Sequence, residues 1–287
     1  MVIYTLGCRK ITALCLGFIC LLWSGWAYAG KVRIPVWDDK FYPADRGELI
    51  QTIADLTAQA QKTDIQIPSH KTLRALILPH AGYIFSGLTA AHASHVLKPG
   101  KYARVVLMGP DHLSIFNNGA ISDVSSYETP LGSVKLSADA ARLRQQSDLF
   151  RSYADSDWNE HSLEVILPFL QYYMHSFEFI PIVLGPGDPR AIAQPIASLI
   201  NPDTLIVVSS DLSHYLPYAK AVARDQETIA LILNLQTDAL AQRQDCACGK
   251  MPLLILMHLA RQFDWDPVLL HYANSGDTAG SKTSVVG

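Results

Sequence analysis

The sequence predicts an α/β fold, with a single three-layer α/β/α domain built around a mostly parallel central sheet. Apolar, β-branched runs alternate along the chain with stretches of helical spacing. The runs are continuously apolar rather than alternating, which is typical of strands buried on both faces. Strand followed by helix, repeated, favours a parallel sheet with helices on both sides. No linker rich in Pro, Gly or Ser divides the chain, so we expect one domain.

The predicted strands coincide with the apolar runs, and the predicted helices lie between them. The strands are expected at residues 73–78, 103–108, 177–184, 204–209 and 268–272. The helices are expected at residues 86–97, 137–146, 161–175, 189–200, 219–233 and 251–263. Pro189 and Pro252 fall near the starts of two of these helices, where a missing backbone N–H costs nothing.

The amino terminus has the three parts of a secretory signal peptide. Arg9 and Lys10 precede an apolar stretch of roughly a dozen residues, and Ala27-Tyr28-Ala29 offers an A-x-A cleavage site. The stretch is shorter than the ~20 apolar residues that span a bilayer. We therefore expect a signal peptide over residues 1–29 with cleavage after Ala29, and a periplasmic or secreted domain over residues 30–287. A retained membrane anchor is the alternative.

Charge and cysteine content restrict the partners and the chemistry. The net charge is −3, and no Lys/Arg cluster lies outside the amino terminus, so the chain lacks the basic face that binds nucleic acid. Of the five cysteines, only Cys246 and Cys248 follow the predicted signal peptide. Two thiols form no disulfide framework. In an oxidising compartment they would oxidise unless a role such as metal ligation keeps them reduced.

Polar side chains that could carry chemistry follow three of the predicted strands. His80 comes after the first strand, His112 after the second, and Asp211 and His214 after the fourth. Ligands of open α/β sheets bind in the crevice outside the carboxyl ends of the strands. We therefore expect these side chains to converge at one edge of the sheet. A single loop histidine is more often a packing or capping residue, so the prediction depends on the set.

For several other polar residues, a role in the site and a structural role are both possible. Glu160 could orient a ligating imidazole as a hydrogen-bond acceptor, and His161 could reach the site, but both could equally cap a helix. His92 and His95 lie one helical turn apart, and we expect them to pack rather than to bind a metal.

Seven motifs, in order along residues 30–287, resemble those of the Memo family, which includes the bacterial and archaeal AmmeMemoRadiSam system protein B. The motifs are LPHAGYIFSG, MGPDH, YETPLG, NEHSLEVILPFL, VVSSDLSHY, ACGKMPL and NSGDTAGSKTSVVG. The resemblance implies a fold similar to that of class III extradiol dioxygenases, non-haem iron enzymes that open catechol rings. Family members usually continue past the VVG motif, so we expect the last strand to be frayed or missing.

The resemblance also implies a mononuclear metal site. The dioxygenases hold Fe(II) with two histidines and a glutamate, whereas Memo proteins have a cysteine in place of the carboxylate. On this chain the implied metal ligands are His80, His112 and Cys248, and the implied acid/base is His214 with Asp211 beside it. A thiolate softens the site, so we expect copper or iron ahead of zinc. A disulfide between Cys246 and Cys248, or a free thiol, is the alternative to ligation.

The function expected from these residues is that of a metal-dependent, dioxygenase-like oxidoreductase acting on a small organic substrate. The alternatives are a non-catalytic module that binds a peptide or metabolite, and a periplasmic copper-handling protein. The resemblance further implies a functional link to radical SAM and AMMECR-type proteins, a link that the predicted export puts in doubt. No membrane partner is expected once the signal peptide is cleaved.

Overall fold

The structure is a computed structural model that describes residues 1–7, 30–68 and 70–287. The strands are β1 Val2–Gly7, β2 Val32–Arg33, β3 Lys71–Leu78, β4 Arg104–Pro110, β5 Gly119–Ala120, β6 Ser126–Thr129, β7 Gly132–Lys135, β8 Phe150–Arg151, β9 Glu178–Leu184, β10 Thr204–Ser209, β11 His214–Leu216, β12 Asp266–Leu269 and β13 Val285–Val286. The helices are α1 Arg46–Ala60, α2 Tyr83–Ala91, α3 Ala138–Gln146, α4 Ala154–Asn159, α5 Leu167–Met174, α6 Pro189–Ala197, α7 Tyr218–Leu233, α8 Thr237–Gln242 and α9 Lys250–Gln262. Among the described residues, none of the helices has the length and apolar character of a membrane span.

The central sheet is mostly parallel, as predicted. Its strand order over the described residues is β12-β1-β3-β10-β4-β9-β5-β8. The four middle strands β3, β10, β4 and β9 run parallel to one another. Antiparallel pairs occur towards the edges, where β1 pairs with β3 and β12, and β5 pairs with β9. Because β10 lies between β3 and β4, the three strands that precede the candidate residues are neighbours.

Helices cover both faces of the sheet, which confirms the three-layer architecture. In β3, Leu76 packs in the core cluster that contains Leu49 of α1. Its neighbour Ile77 packs in the cluster on the other face, with Ile255 of α9. This alternation along a continuously apolar strand is what burial on both faces requires.

Several predicted elements differ from the observed ones. The strand predicted at 204–209 has the bounds of β10, but the one predicted at 268–272 is β12, which ends at Leu269. The helix predicted at 161–175 is a 3₁₀ turn, Glu164–Ile166, followed by α5, because Pro168 occupies the first turn of the α-helix. The helix predicted at 86–97 begins earlier, at Tyr83, and its last part is the 3₁₀ segment His92–His95.

Helix α1 is not among the predicted helices, although its start carries a capping signal. The Asp45 side chain accepts a hydrogen bond of 2.8 Å from the backbone N–H of Glu48. Such a side-chain oxygen satisfies one of the free N–H groups at a helix start. The helix is mostly polar and buries Leu49, Ile53 and Ala60, so its apolar stripe is narrow.

Residues 2–7 form strand β1, although the sequence analysis assigns them to the signal peptide. Val2, Ile3 and Tyr4 are buried, and the Tyr4 hydroxyl has no hydrogen-bond partner among the described residues. The apolar stretch and the A-x-A site fall within residues 8–29, which lie outside the described residues. Cleavage after Ala29 stays a prediction. It would remove β1 and uncover the facing edges of β3 and β12.

His92 and His95 pack away from the candidate site. The His92 ring stacks on that of His271, with centroids 3.9 Å apart and an interplanar angle of 13°. His92 Nδ1 donates to the carbonyl of Leu88, and the Thr89 hydroxyl lies 3.1 Å from His271 Nδ1. Burial, followed by the neighbouring His92, lowers the pKa of His271 from 6.5 to about 4.

Because the pKa of His271 is lowered, we expect the free energy of unfolding to fall in acid. Between pH 6.5 and about 4 the unfolded chain binds a proton at His271 that the folded chain does not, so the free energy of unfolding falls as the pH is lowered. His271→Gln removes the titrating group and is expected to reduce the fall between pH 7 and pH 5. Urea unfolding at the two pH values measures the difference. An equal fall in the variant would contradict the assignment.

Candidate metal centre

His80 lies in the turn after β3 and is fixed by groups that follow β10. Its backbone N–H donates to Asp211 Oδ1 at 2.8 Å, and its Nδ1 lies 2.6 Å from Ser209 Oγ. The Ser209 hydroxyl donates its proton to the carbonyl of Ser162, so it accepts from Nδ1–H. His80 is only 1% exposed. This relay leaves the lone pair of Nε2 free to bind a metal.

His112 lies just after β4 and is fixed by Glu160. One carboxylate oxygen of Glu160 accepts from the His112 backbone N–H at 2.7 Å, and the other lies 3.0 Å from His112 Nδ1. Burial opposes ionisation of Glu160, but the hydrogen bond and charge of His112 lower its pKa to about 2. In the neutral ring, a carboxylate that accepts from Nδ1–H leaves Nε2 unprotonated, as in most metal-ligating histidines. The proposed orienting role of Glu160 thus has a geometric basis.

Cys248 faces His80 from the turn that precedes α9. Its Sγ lies 3.3 Å from His80 Nε2, and it accepts from the backbone N–H of Asp211 at 3.3 Å. A tetrahedral metal with Zn–S and Zn–N bonds of about 2.3 and 2.1 Å separates these atoms by about 3.6 Å. Ligand atoms of His80, His112 and Cys248 all lie within 4.8 Å of one another. The three side chains fit a soft divalent or monovalent metal.

The two cysteines are free thiols in the structure. Cys246 is 1% exposed and packs in the apolar core, whereas Cys248 reaches the site. Burial, followed by the charge of Asp211, raises the pKa of Cys248. The thiol is therefore neutral without a metal. Binding a metal would release its proton, since a coordinating thiol is deprotonated.

His214 lies beside the same thiol, at the start of β11. Ligand atoms of Asp211, His214 and Cys248 lie within 4.8 Å of one another. His214 Nδ1 is 2.9 Å from the carbonyl of Leu212, and since a carbonyl only accepts, Nδ1 carries the proton. His214 Nε2 is therefore available to accept a proton. The next residue, Tyr215, has a φ of +58° and is 77% exposed.

His161 also reaches the site, the first of the two roles that its sequence context allowed. Its ring lies 4.5 Å from that of His112 and 5.3 Å from that of His80, measured between centroids. The His161 ring also contacts the rings of Phe41 and Trp37, with centroid distances of 4.8 and 5.5 Å. Trp37 and Phe41 are not among the predicted site residues, because they precede β3 by some thirty residues and follow no predicted strand.

A buried carboxylate holds the aromatic pair in place. Glu164 is 0% exposed and accepts from Arg33 Nη1 at 2.6 Å, Tyr42 Oη at 2.7 Å and the backbone N–H of Trp37 at 2.8 Å. Arg33 is 1% exposed and also donates to the carbonyl of Glu160 at 3.0 Å. Glu164 is not among the residues predicted for the site. A single charge inside the apolar run SLEVILPFL was the signal, because a buried charge must be paired.

The structure brings together all the residues predicted for the site. His80, His112 and Cys248 form one group that could hold a metal, and Asp211, His214 and Cys248 form a second that shares the thiol. Asp211 Oδ1 accepts from the backbone N–H groups of His80 and Ala81. Asp211 therefore contributes to the position of His80 besides lying near His214. The roles of these side chains stay predictions.

Gly249 lies in a space too small for a side chain, so a substitution there tests the position of Cys248. A Cβ added there would lie 2.5 Å from Ser210 Cβ and 2.8 Å from the carbonyl oxygen of Ser209. These are backbone-anchored atoms, so Gly249→Ala must shift the turn that carries Cys248. We expect metal affinity to fall about tenfold or more, by analogy with the loss of an outer-shell contact. Gly100→Ala is a poor control because its φ is +71°, whereas Ala247→Gly changes the same turn without adding volume.

The Memo-like protein family model matches residues 33–287. A MEMO1 family protein from Ignicoccus hospitalis is 34% identical over 274 residues, which cover 89% of this chain and 96% of the relative. Proteins of the same description from Sulfurisphaera tokodaii and Sulfolobus acidocaldarius are 32% and 33% identical, and each alignment covers 89% of this chain and 97% of the relative.

A solved structure shows a weaker likeness. The crystal structure of the uncharacterized protein JW3007 from Escherichia coli K12 aligns with 61% of this chain and 81% of that chain, at 13% identity and a TM-score of 0.39. A likeness at that level supports no inference about the site. The family model matches residues 33–287, and the relatives align along most of their length. The chain therefore belongs to the Memo-like protein family.

Proposed function

We propose that this chain is a metal-dependent oxidoreductase, similar to the dioxygenases, that acts on a small organic substrate. The observation that carries the proposal is the contact of 3.3 Å between Cys248 Sγ and His80 Nε2, with a ligand atom of His112 within 4.8 Å of both. Three protein ligands leave coordination positions open, which is the pattern of catalytic rather than structural sites.

The tautomers of the histidines support the same proposal. His80, His112 and His214 are each held through Nδ1, by Ser209, Glu160 and the carbonyl of Leu212 respectively. The first two rings therefore offer Nε2 as a metal ligand. The third ring offers Nε2 as a proton acceptor beside them.

A metal held by His80, His112 and Cys248 would supply redox chemistry and a Lewis acid. His, His and thiolate ligands suit copper, and iron is compatible with them. The chain's own contribution begins with His214, whose free Nε2 takes the proton of a substrate hydroxyl. Asp211 is 5% exposed and lies near His214, so its negative charge favours the positive charge that this proton transfer creates on His214.

Oxygen uptake tests the proposal. Protein loaded with copper or with iron is mixed with a panel of catechols and other phenols in an oxygen electrode, and His214→Gln is compared with the wild type. We expect metal-dependent uptake that falls at least about 100-fold in the variant, since general acid/base groups contribute that much. His95→Gln, which changes a histidine outside the site, is the matched control.

Two results would overturn the proposal. The first is uptake that stays the same in His214→Gln. The second is absence of uptake with every substrate in protein that holds metal. The second result, together with ligand binding to the metal-free protein, would favour a non-catalytic binding module.

A further inference from the structure

Asp225 is a buried carboxylate to which the proposed mechanism gives no role. It lies on α7, is 0% exposed, and accepts two hydrogen bonds from outside its helix. The backbone N–H of Ser213 donates to Oδ1 at 2.9 Å, and the Tyr272 hydroxyl donates to Oδ2 at 2.8 Å. Burial raises the pKa of Asp225, whereas the hydrogen bonds from Ser213 and Tyr272 and the nearby His214 oppose the rise. A carboxylate at such a position costs free energy.

The segment that Asp225 holds is the turn that carries His214. The backbone N–H of Leu212 donates to the carbonyl of Gly287 at 2.8 Å, and the carbonyl of Ser213 accepts from Gly287 N–H at 2.9 Å. Ser213 is thus held at its carbonyl by Gly287, which follows β13, and at its N–H by Asp225. The Leu212 carbonyl in the same turn accepts from His214 Nδ1. The ring orientation and the tautomer of His214 both depend on this turn.

The side chain of Asp211 bonds a different turn in the described part of the chain, although Asp211 lies closer to His214 in the sequence. Its Oδ1 accepts from the backbone N–H groups of His80 and Ala81, and its own backbone N–H donates to Cys248 Sγ. The two carboxylates therefore hydrogen-bond the backbone of different turns. Asp211 fixes the backbone of a candidate metal ligand, and Asp225 fixes the backbone of the candidate acid/base.

We propose that Asp225 is a positioning residue for His214, acting through the Ser213 N–H to hold the turn in which His214 keeps Nδ1–H. This inference rests on the proposed function only in naming His214 as the acid/base. The hydrogen bonds themselves are present without a metal. Asp225 does not touch the reacting atoms.

The test is the tautomer of His214 in the intact chain, observed without added metal by long-range ¹H–¹⁵N NMR of the imidazole rings. The wild type is expected to show His214 with Nδ1–H. Asp225→Leu removes the acceptor and is expected to convert His214 to a mixture of tautomers. Asp225→Asn retains an acceptor for Ser213 and is expected to give a smaller fraction of the second tautomer. Glu227→Gln, an exposed carboxylate on the same helix paired with Arg243, is the matched control and is expected to leave the spectrum unchanged.

The spectrum contains its own reference signals. A merely structural loss would perturb His80 and His112 as well, whereas a positioning role changes His214 and leaves their tautomers as they are. If Asp225→Leu does not fold, the smaller change in Asp225→Asn decides. A His214 tautomer identical to the wild type in every folded Asp225 variant would overturn the inference.

The same variants have a kinetic counterpart that separates the two proposals. In metal-loaded protein, Asp225→Leu is expected to lower kcat for oxygen uptake about tenfold with little change in KM, as misplacement of a proton acceptor does. Absence of uptake in the wild type would overturn the proposed function. The NMR comparison would still confirm or contradict the positioning of His214.

Discussion

Glu164→Gln is expected to lower the free energy of unfolding by about 3–5 kcal/mol, the cost of leaving a buried charge without its partner. Glutamine keeps the volume and an acceptor oxygen, but it removes the negative charge 2.6 Å from Arg33 Nη1. Both side chains are at most 1% exposed, so water cannot solvate the charge of Arg33 once residue 164 is neutral. The effect is large because four donors converge on this carboxylate, from Arg33, Val36, Trp37 and Tyr42.

Guanidinium unfolding measures this change, and the chain provides a control for it. Glu227→Gln removes the same charge from an exposed pair with Arg243 and is expected to cost at most about 1 kcal/mol. Replacing both Arg33 and Glu164 by leucine should recover part of the loss, since no unpaired charge is then buried. A Glu164→Gln variant as stable as Glu227→Gln would show that the pair does not anchor the segment that carries Trp37 and Phe41.

Cys248→Ser is expected to lower metal affinity by more than about 100-fold, since outer-shell changes alone cost up to that factor. The substitution replaces a thiolate by a hydroxyl that does not ionise at neutral pH and that binds copper weakly. His80 and His112 would remain fixed by Ser209 and Glu160, so the loss reports the thiolate rather than a collapsed site.

Cys246→Ser is the matched control for this prediction. It makes the same chemical change two residues away, at a side chain that packs in the core. It is expected to lower stability by about 1–3 kcal/mol, the cost of burying a hydroxyl, and to leave metal affinity unchanged. Competition with a chromophoric chelator measures both affinities. Equal loss in the two variants would contradict the assignment of Cys248 as the ligand.

The site residues that could be predicted from the sequence are those that directly follow a predicted strand. His80, His112 and Asp211 each follow an apolar run, and a parallel sheet brings the ends of such runs to one edge. The neighbouring positions of β3, β10 and β4 have no local signal, because strand order is decided by pairing between distant segments. The contact of Ser209 with His80 follows from that order.

The residues missed by the sequence analysis are those whose partners lie far along the chain. Arg33 and Glu164 are 131 residues apart, and each is an ordinary charged residue until the fold buries both. Asp225 is similar, because a carboxylate on an amphipathic helix usually faces solvent. The pairing of β1 with β3 and β12 has no local signal either, because the basic and apolar stretch that follows β1 predicts a signal peptide and carries no information on sheet pairing.

We expect His80, His112 and Cys248 to bind one metal ion together. X-ray absorption spectroscopy of the copper-loaded chain after desalting tests it most directly, because sulfur and nitrogen ligands scatter at different distances. The expected spectrum shows one tightly held metal per chain with one sulfur and two imidazole ligands, and the sulfur signal is lost in Cys248→Ser. A chain that retains no metal, or a metal surrounded by nitrogen and oxygen alone in the wild type, would contradict it.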